Sequence, residues 1–490
     1  MVCPNFKVCV TPQFEVLTPD QRQQVYFGAL EILSRTGAQI HDERTLELLR
    51  QNGCQVEGTR AYFPKALVQW AVKAAPSYVT IYDRNGRPAM YLGGTNVYFG
   101  PGPTNTFHLD PFTGERRKPL KSDKADVARV VDALPNIDYA MDLGTPSDVT
   151  STLADVHAFD AMVRNTEKPI VHWGFDVEQY EDIIQMAAAV KGGLEQLARR
   201  PFIVLYSESS PPLVHSREAI AKALYAAEMG VPVIYTPCVM AGATAPATMA
   251  GTLALTVAES LAGLTAVQLL KKGAPFIMGG VISIMDMSST ILSYGAPEFN
   301  LLQAALAEVA HHIGLPVFGT GGCIDSKVLD AQAAAEAAQS ILLSALSGAN
   351  LVHDCGYMEF GSTGSVELLV LDDEIISYVK RIMRGINIDS ESLALEVVDR
   401  VGPGGHFLGE DHTMAHFRTE TWFPSLCDRR RYDDWVAHGS TSLEQRVKEK
   451  TLAIIRGHRP RPLPDHVLAR LDEIVSAAEA REAANARKRR

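Results

Sequence analysis

The feature that most constrains the fold is a repeat of short apolar strands, each followed by a helix, through the middle of the chain. Seven predicted strands begin 31 to 43 residues apart, a distance that fits one strand, one helix and two loops. Five of the seven begin at proline, which a strand tolerates at its first residue. The predicted strands are 138–143, 169–173, 201–206, 232–236, 275–278, 316–319 and 350–353.

This repeat predicts an α/β protein in which a (β/α)₈ barrel, the TIM barrel, occupies residues 96–390. The eighth strand is expected from residues 96–107 or from the chain after residue 380. A doubly wound parallel sheet is the alternative, but the repeat carries no nucleotide-binding fingerprint. Residues 1–95 are predicted to form a mixed α/β extension, and residues 391–490 an irregular and helical extension.

The composition is that of a soluble globular protein, with 46% hydrophobic and 21% charged residues. A formal net charge of -11 argues against a nucleic-acid-binding surface. The seven cysteines include no C-x-x-C pair, a pattern typical of a reduced intracellular protein. The sequence shows neither the apolar core of a signal peptide nor a charge-free apolar run of about 18 residues that could span a membrane. We therefore expect a cytoplasmic protein.

Polar and aromatic side chains are concentrated directly after the last two predicted strands. The first of these turns, 319–327, is rich in glycine and ends at Lys327. The second, 353–361, begins at His353 and contains Tyr357 and Phe360. Because parallel α/β folds bind ligands at the carboxyl ends of their strands, we place the active centre at these two turns.

Seven longer segments make the chain resemble a known family. They are YFGPGPTN (98–105), SESSPPLVH (207–215), MAGATAPATMAGTLALTVAESLAG (240–263), YGAPEFNL (294–301), GTGGCIDSKVLDAQ (319–332), GANLVHDCGYMEFG (348–361) and GHFLGEDHTMAHFRTETWFPSLCDRRRYDDW (405–435). Together they resemble the trimethylamine methyltransferase superfamily, the corrinoid-dependent methyltransferases related to MttB. The resemblance covers nearly the whole chain in order. It implies a TIM barrel that transfers a methyl group from an amine to the cobalt of a separate corrinoid protein.

Founding members of that superfamily carry a pyrrolysine that is thought to hold and activate trimethylamine, and this sequence has no such residue. Relatives without pyrrolysine use quaternary amines such as glycine betaine, proline betaine and carnitine. The resemblance therefore implies a quaternary amine substrate of the glycine betaine type and a cob(I)alamin cofactor carried by a cognate corrinoid protein. The missing metal-ligand motif and a substrate that needs no Lewis acid predict that no tightly bound metal is required. The sequence leaves the oligomeric state open and is compatible with a homo-oligomer.

Residues at or just beyond the predicted strand ends suit that chemistry. A quaternary ammonium has no N–H to donate, so aromatic faces hold it best, at ~0.5–2 kcal/mol per contact. A carboxylate adds attraction, and a betaine's own carboxylate needs donors such as histidine, asparagine or backbone N–H groups. The predicted catalytic residues are His353, Tyr357 and Glu208. The predicted substrate-binding residues are Tyr98, Phe99, Asn105, His172, Trp173, Tyr206 and Phe360.

Structural roles compete with these assignments. Tyr98 and Phe99 could be core residues of a hairpin, Glu208 could cap a helix, and His353 could make a structural hydrogen bond. His412 and His416 form HTMAH near His406, which could be a metal site, but the glutamate of H-E-x-x-H is absent.

Two other classes of function stay open. Lys327 could form a Schiff base, as in a barrel aldolase or lyase. Alternatively, the chain could be a non-catalytic betaine-binding or scaffold protein that keeps the aromatic cage and has lost access to cobalt.

Overall fold

A computed structural model describes residues 11–489, and its first part combines helices and short strands. The elements are α1 (Pro19–Glu31), β1 (Ala38–Ile40), α2 (Glu43–Gln51), β2 (Gln55–Glu57), β3 (Arg60–Tyr62), α3 (Lys65–Ala74), β4 (Val79–Tyr82) and β5 (Pro88–Leu92). A short π-helical turn, Ile32–Thr36, continues α1.

Strands and helices then alternate to residue 383. The elements are β6 (Tyr98–Pro101), β7 (Phe107–Leu109), β8 (Arg116–Arg117), α4 (Lys121–Ala133), α5 (Ala154–Asn165), β9 (Ile170–His172), α6 (Val177–Lys191), α7 (Leu194–Arg199), β10 (Ile203–Ser207), β11 (Val214–His215), α8 (Arg217–Glu228), β12 (Val233–Tyr235), β13 (Cys238–Ala241), α9 (Met249–Leu270), β14 (Phe276–Gly279), β15 (Val281–Asp286), β16 (Ile291–Leu292), α10 (Pro297–His312), β17 (Val317–Thr320), α11 (Ala331–Leu346), β18 (Leu351–Cys355), β19 (Tyr357–Met358), β20 (Thr363–Ser365) and α12 (Val366–Met383).

In the rest of the described chain, helices are connected by irregular loops. Its elements are α13 (Ser390–Leu393), α14 (Leu395–Val401), α15 (Asp411–Glu420), α16 (Tyr432–Ala437), α17 (Leu443–Gly457) and α18 (Asp465–Arg489). On α12, the Glu374 carboxylate accepts the backbone N–H groups of Ser425, Leu426 and Cys427 at 2.9 to 3.0 Å. This single side chain therefore ties the C-terminal part to the strand–helix repeat.

The centre of the molecule is a seven-stranded parallel sheet with the order β6-β18-β17-β14-β12-β10-β9. Six of the seven predicted strands are present in it. The remaining strand of the sheet, β6, comes from residues 96–107, one of the two expected sources of an additional barrel strand.

The predicted strand 138–143 is wrong as a regular strand, because only Ala140 forms a bridge, to Ile170. The physical reason is that aspartate side chains accept hydrogen bonds from backbone N–H groups, which in a regular β-sheet would donate to backbone carbonyls. Asp138 accepts the Phe99 N–H at 2.9 Å, and Asp142 accepts the Thr104 N–H at 3.1 Å. The segment still donates backbone hydrogen bonds to Phe99 and, on its other side, to residue 169. It therefore lies between the two edges of the seven-stranded sheet.

Alternation along the strands divides the core in two. Inward-facing side chains form one cluster, comprising Tyr139, Met141, Val171, Val204, Tyr206, Ile234, Ile277, Phe318 and Leu351 together with Val79, Ile81, Met90 and Leu92 of the β4–β5 hairpin. The alternate side chains pack against the helices. Backbone N–H groups of Tyr82 and Arg84 bond to residues just before β10 and β9. The hairpin therefore covers the amino ends of the strands, and only their carboxyl ends, here called the mouth, are left for a ligand.

Helix α9 is the one helix of the described part of the chain that is long and apolar enough to cross a membrane by length and composition. Of its most apolar window, 83% is buried inside the protein. That burial is typical of a core helix, and α9 packs against α1, α3 and α8.

Close packing of α9 on the sheet gives a testable consequence. A Cβ added at Gly263 would lie 2.5 Å from the ring of Tyr235, whereas one added at Gly28 on α1 would make an ordinary 3.6 Å contact. We expect Gly263→Ala to destabilise the fold by ~1–3 kcal/mol through overpacking, although alanine favours helix by about 1 kcal/mol. Thermal unfolding measures this, with Gly28→Ala as the matched control. Equal or higher stability of Gly263→Ala would contradict the packing.

Candidate active site

A cavity of about 190 Å³ opens at the mouth, beside the carboxyl ends of β9 and β10. Its walls come from the chain after three strands and from the start of α8. The lining residues are Thr104, Trp173, Tyr206, Ser207, Glu208, Ser216, Glu218, Ala219 and Lys222. Trp173, Tyr206 and Glu208 reach it because they continue the inward-facing alternation that begins at Val171 and Val204.

Glu208 is the carboxyl group that lies beside the aromatic rings of this cavity. The hydroxyl of Tyr206 donates a hydrogen bond to Glu208 Oε1. Burial raises the pKa of Glu208, while the Tyr206 hydrogen bond and the charge of Lys222 act in the opposite direction. The side chain is surrounded by protein but is still accessible to solvent. Its accessible surface faces the cavity. It is therefore available to a cation.

A second carboxyl, Asp354, lies at the end of β18. Its backbone is left-handed (φ 74°), and Tyr294 donates a hydrogen bond to its Oδ2 at 3.0 Å. Its Oδ1 makes no hydrogen bond within the protein and lies 3.3 Å from His353 Nε2. Burial raises the pKa of Asp354 well above its ordinary value, and the nearby charge of Glu208 raises it further. The free protein therefore holds this carboxyl in an environment that favours the protonated form.

Three tyrosines surround the two carboxyls. Burial raises the phenol pKa values of Tyr206, Tyr294 and Tyr357, and the charge of Asp354 adds to the shift of each. The rings of Tyr294 and Tyr357 are 6.5 Å apart, and Tyr357 donates its hydroxyl hydrogen to the carbonyl of Pro103. Aromatic faces beside carboxylates form the environment that best attracts an organic cation.

His353 is neutral and fixed in orientation. Its Nδ1 lies 2.8 Å from the Gly319 carbonyl, which can only accept, so Nδ1 carries the hydrogen and Nε2 presents a lone pair. Burial lowers the pKa of His353 to about 3. The centroid of its ring lies 4.1 Å from that of Phe318, and the two rings are tilted by 31°. The Nε2 of His353 can therefore accept a hydrogen bond from the protonated carboxyl of Asp354. Because the ring is neutral, it offers no positive charge to a substrate carboxylate.

The turn after β19 is strained and tightly held. Glu359, Phe360 and Gly361 all have left-handed φ angles, of 54°, 47° and 89°. For the two residues with side chains this costs ~1–3 kcal/mol each, a strain that clusters at functional sites. The N–H groups of Glu359 and Phe360 donate to the turn after β17, at Ser326 and Ile324. The two turns expected to carry the active centre are therefore one connected structure, with Phe360 half-buried on it.

Four predicted binding residues do not face the cavity. Tyr98 lies at the amino end of the sheet, where its hydroxyl accepts the Tyr91 N–H at 3.1 Å. Phe99 is fully buried on the helix side of β6. His172 also faces the helices, with Nε2 3.0 Å from the Asp155 carbonyl and a pKa lowered by burial to about 4. Asn105 uses its amide N–H on the Gly361 carbonyl at 2.6 Å, so it holds the strained turn.

Three residues that complete the site are missing from the predicted catalytic and substrate-binding residues, although Asp354, like His353, is a candidate ligand by its place after an apolar strand. Tyr294 lies in the loop before α10, Asp354 follows His353, and Lys222 lies on α8. Tyr294 and Asp354 are in segments that resemble the family, and that signal could have found them. Lys222 has no local signal, because it is an isolated lysine in an alanine-rich helix.

The competing motifs find no support in the geometry. Lys327 is exposed on the turn after β17, whereas a Schiff-base lysine needs burial to lose its proton. His412 and His416 stack 4.3 Å apart on α15, and both contact Glu391. Among residues 11–489, no group of three or more histidine, cysteine, aspartate or glutamate side chains is arranged to hold a metal ion. That no metal is needed stays a prediction.

The parallel sheet with helices and the polar, aromatic mouth define an α/β enzyme that binds a small ligand at its strand ends. The chain belongs to the trimethylamine methyltransferase (MTTB) family, whose model matches residues 4–483. It is therefore a methyltransferase, and the resemblance found in the sequence is confirmed.

Individual relatives agree with that membership. The chain is 34% identical over 457 residues to a trimethylamine methyltransferase of Desulfitobacterium hafniense, covering 93% of this chain and 92% of the relative. It is 32% identical over 467 residues to a glycine betaine methyltransferase of the same species, covering 95% and 97%. The crystal structure of the monomethylamine methyltransferase of Methanosarcina barkeri matches with a TM-score of 0.53 at 10% identity, covering 91% and 89%, which shows a shared fold alone.

The raised carboxyl pKa values predict how cation binding depends on pH. Asp354 and Glu208 lose their protons at a higher pH than ordinary carboxyl groups do. Affinity for an organic cation should therefore rise with pH through their pKa values, and binding of the cation should release protons. Isothermal titration with choline in buffers of different ionisation enthalpy measures both effects.

Asp354→Asn tests the origin of that dependence, with the exposed Asp389→Asn as its control. Asp354→Asn should flatten the pH profile and reduce proton release, and Asp389→Asn should change neither. A profile in Asp354→Asn as steep as in the wild type would rule out this carboxyl as the source.

Proposed function

We propose that this protein transfers a methyl group from a small quaternary amine, a betaine such as glycine betaine, to cob(I)alamin on a separate corrinoid protein. The observation that carries the proposal is a pair of carboxyls, the accessible Glu208 and the buried Asp354, among the rings of Trp173, Tyr206 and Tyr294. A permanently charged nitrogen without N–H groups suits aromatic faces and long-range carboxylate attraction, at ~0.5–2 kcal/mol per ring. Relatives named for amine and betaine methyl transfer support the same reaction.

We propose that the sheet closes into a (β/α)₈ barrel with residues 138–143 as its eighth strand. Their backbone hydrogen bonds to Phe99 and Gly102 on one side and to β9 on the other support this closure. The barrel would then occupy residues 96–390, between extensions formed by 1–95 and 391–490. A closed barrel with one end covered by the β4–β5 hairpin leaves the mouth as the only ligand entrance that this architecture provides.

The side chains perform binding and orientation. Trp173 and Tyr206 present faces to the quaternary nitrogen, and Glu208 and Asp354 balance its charge once ionised. Tyr294 and neutral His353 hold Asp354 in place. When the partner is bound, its cob(I)alamin supplies the nucleophile, so this chain needs no nucleophilic side chain. The leaving group is a neutral tertiary amine, and orientation of one N-methyl group towards the open side is the main contribution of the protein.

The surface around the mouth supports docking of a protein that carries the corrinoid. Phe175, Met249, Met287 and Val328, here called the rim, follow four different strands and are 42% to 65% exposed. A contiguous exposed apolar patch marks an interaction site, and the proposal is that the rim forms such a patch. After β20 the described chain contains only helices and loops, so it offers no further α/β unit to carry a cobalamin. A cytoplasmic location, where thiols stay reduced, is part of the proposal.

Comparison of substrates tests the reaction. We expect glycine betaine, proline betaine or carnitine to give the fastest initial methyl transfer to cob(I)alamin, followed by choline, and no turnover of trimethylamine. Displacement from neutral trimethylamine would expel an amide-like anion, a very poor leaving group. The absorbance change from cob(I)alamin to methylcobalamin measures the rates. Faster turnover of trimethylamine than of every quaternary amine would overturn the proposal.

Charge placed on the rim tests the partner. We expect Phe175→Asp combined with Met287→Asp to slow methyl transfer to the corrinoid protein at least about tenfold, because buried charge at an interface core is costly. Transfer to free cob(I)alamin should be unchanged, because neither side chain lines the cavity. Leu408→Asp, an 83% exposed residue far along the chain, is the matched control. If the double variant transfers the methyl group to the corrinoid protein as fast as the wild type does, the corrinoid protein docks elsewhere.

A further inference from the structure

We infer that Lys222 binds the carboxylate of a betaine substrate and thereby makes the mouth selective for betaines over quaternary amines that lack a carboxylate. The inference rests on the proposed function and adds the residue that recognises the second end of the substrate.

Lys222 lies in the second turn of α8 and is only 6% exposed. Its Nζ donates to the Gly174 carbonyl and lies 3.4 Å from the Phe175 carbonyl, so the loop after β9 fixes its position. An ammonium has three N–H donors, and these carbonyls account for two. The third is free to bind a ligand. Among the residues that line the cavity, Lys222 is the only cation.

The other donors expected for a substrate carboxylate are not available. His172 faces the helices, and its Nε2 is bonded to the Asp155 carbonyl. His353 is neutral and presents a lone pair, which would repel a carboxylate. Asn105 gives one amide N–H to the Gly361 carbonyl and does not line the cavity. Lys222 is therefore the charged donor in the described wall of the cavity.

The charge pattern of the cavity matches a zwitterion. Lys222 Nζ lies 5.8 Å from the ring centroid of Trp173, the same ring that a quaternary nitrogen would contact. Glu208, beside Tyr206, is the carboxylate for that nitrogen. With Glu218 also in the wall, the ionised lining carries two negative charges against one positive charge. A simple carboxylic acid is therefore disfavoured, whereas a molecule with a cation and a carboxylate a few bonds apart can satisfy both ends.

The charge of Lys222 gives a pH signature that a structural lysine would lack. Burial lowers the pKa of Lys222 to about 8, against the raising effect of nearby carboxylates. The groups that face it are Asp155, Asp176, Glu208, Glu218 and His172. Nζ is charged below this pKa and neutral above it, so affinity for a betaine should fall as pH rises through about 8. Choline has no carboxylate, and its affinity should not fall there.

Titration calorimetry with glycine betaine and with choline, on the full chain and across pH, is the test. In Lys222→Met we expect affinity for glycine betaine to fall about tenfold or more, as for loss of a charge-assisted hydrogen bond, with little change for choline. Lys222→Arg should retain part of the preference because it retains the charge. Lys168→Met is the matched control. Lys168 is a half-buried lysine that also donates to backbone carbonyls, but it lies before β9, at the opposite end of the strands.

The outcomes separate this inference from the proposed function. A selective loss for glycine betaine in Lys222→Met, with an unchanged ratio in Lys168→Met, supports it. Equal losses for both ligands would overturn it and leave Lys222 a structural residue. If Lys222→Met does not fold, the wild-type profile decides, since a betaine affinity that does not fall near pH 8 overturns the inference. A wild type that binds choline but not glycine betaine would refute the role of Lys222 and glycine betaine as the substrate, but would leave a quaternary amine substrate standing. A wild type that binds neither ligand would refute the proposed function itself.

Discussion

The site depends on a carboxyl group kept away from water at the end of β18. Burial of a carboxylate is unfavourable unless a cation or several donors accompany it. The carboxyl of Asp354 receives one hydrogen bond, from Tyr294. Its raised pKa reflects burial with too few hydrogen-bond donors around it. Its left-handed backbone holds the side chain in this position, and a Cβ at Gly102 would lie only 2.2 Å from its Oδ1. The fold therefore maintains an electrostatic imbalance that an organic cation can relieve, which is preorganisation for binding.

Rigidity around that carboxyl comes from the joining of distant segments. The strained turn at residues 359–361 is held by hydrogen bonds to the turn after β17 and by Asn105 from the chain after β6. Arg116 adds an ion pair to Glu359 at 2.7 Å. Because the β4–β5 hairpin covers the other end of the strands, the interior is closed below the mouth and open above it. A site built this way can exclude water from the nitrogen end of a ligand and still leave a methyl group accessible.

The strand repeat was predictable, whereas the direction of individual side chains was not. Apolar runs, five of them beginning at proline, identified six central strands, because burial on both faces leaves a continuous apolar signal. The position of a residue near a strand end does not tell which face it occupies, and a shift of one residue reverses the face. Phe99 and His172 therefore pack against helices, while Trp173 enters the cavity. Lys222 and Tyr294 reach the site from a helix and a distant loop, and only tertiary packing brings them there.

The two carboxyls also change which end of a substrate can confer selectivity. An aromatic cage alone would leave the N–H of protonated trimethylammonium unpaired, at about 1–3 kcal/mol. A quaternary nitrogen has no N–H to pair, and Glu208 and Asp354 balance its charge once they are ionised. Neutral trimethylamine would bind weakly there and is unreactive because of its leaving group. Discrimination among quaternary amines must therefore come from the other end of the ligand, where Lys222 offers the only positive charge among the described residues of the cavity wall and where choline has no carboxylate to meet it.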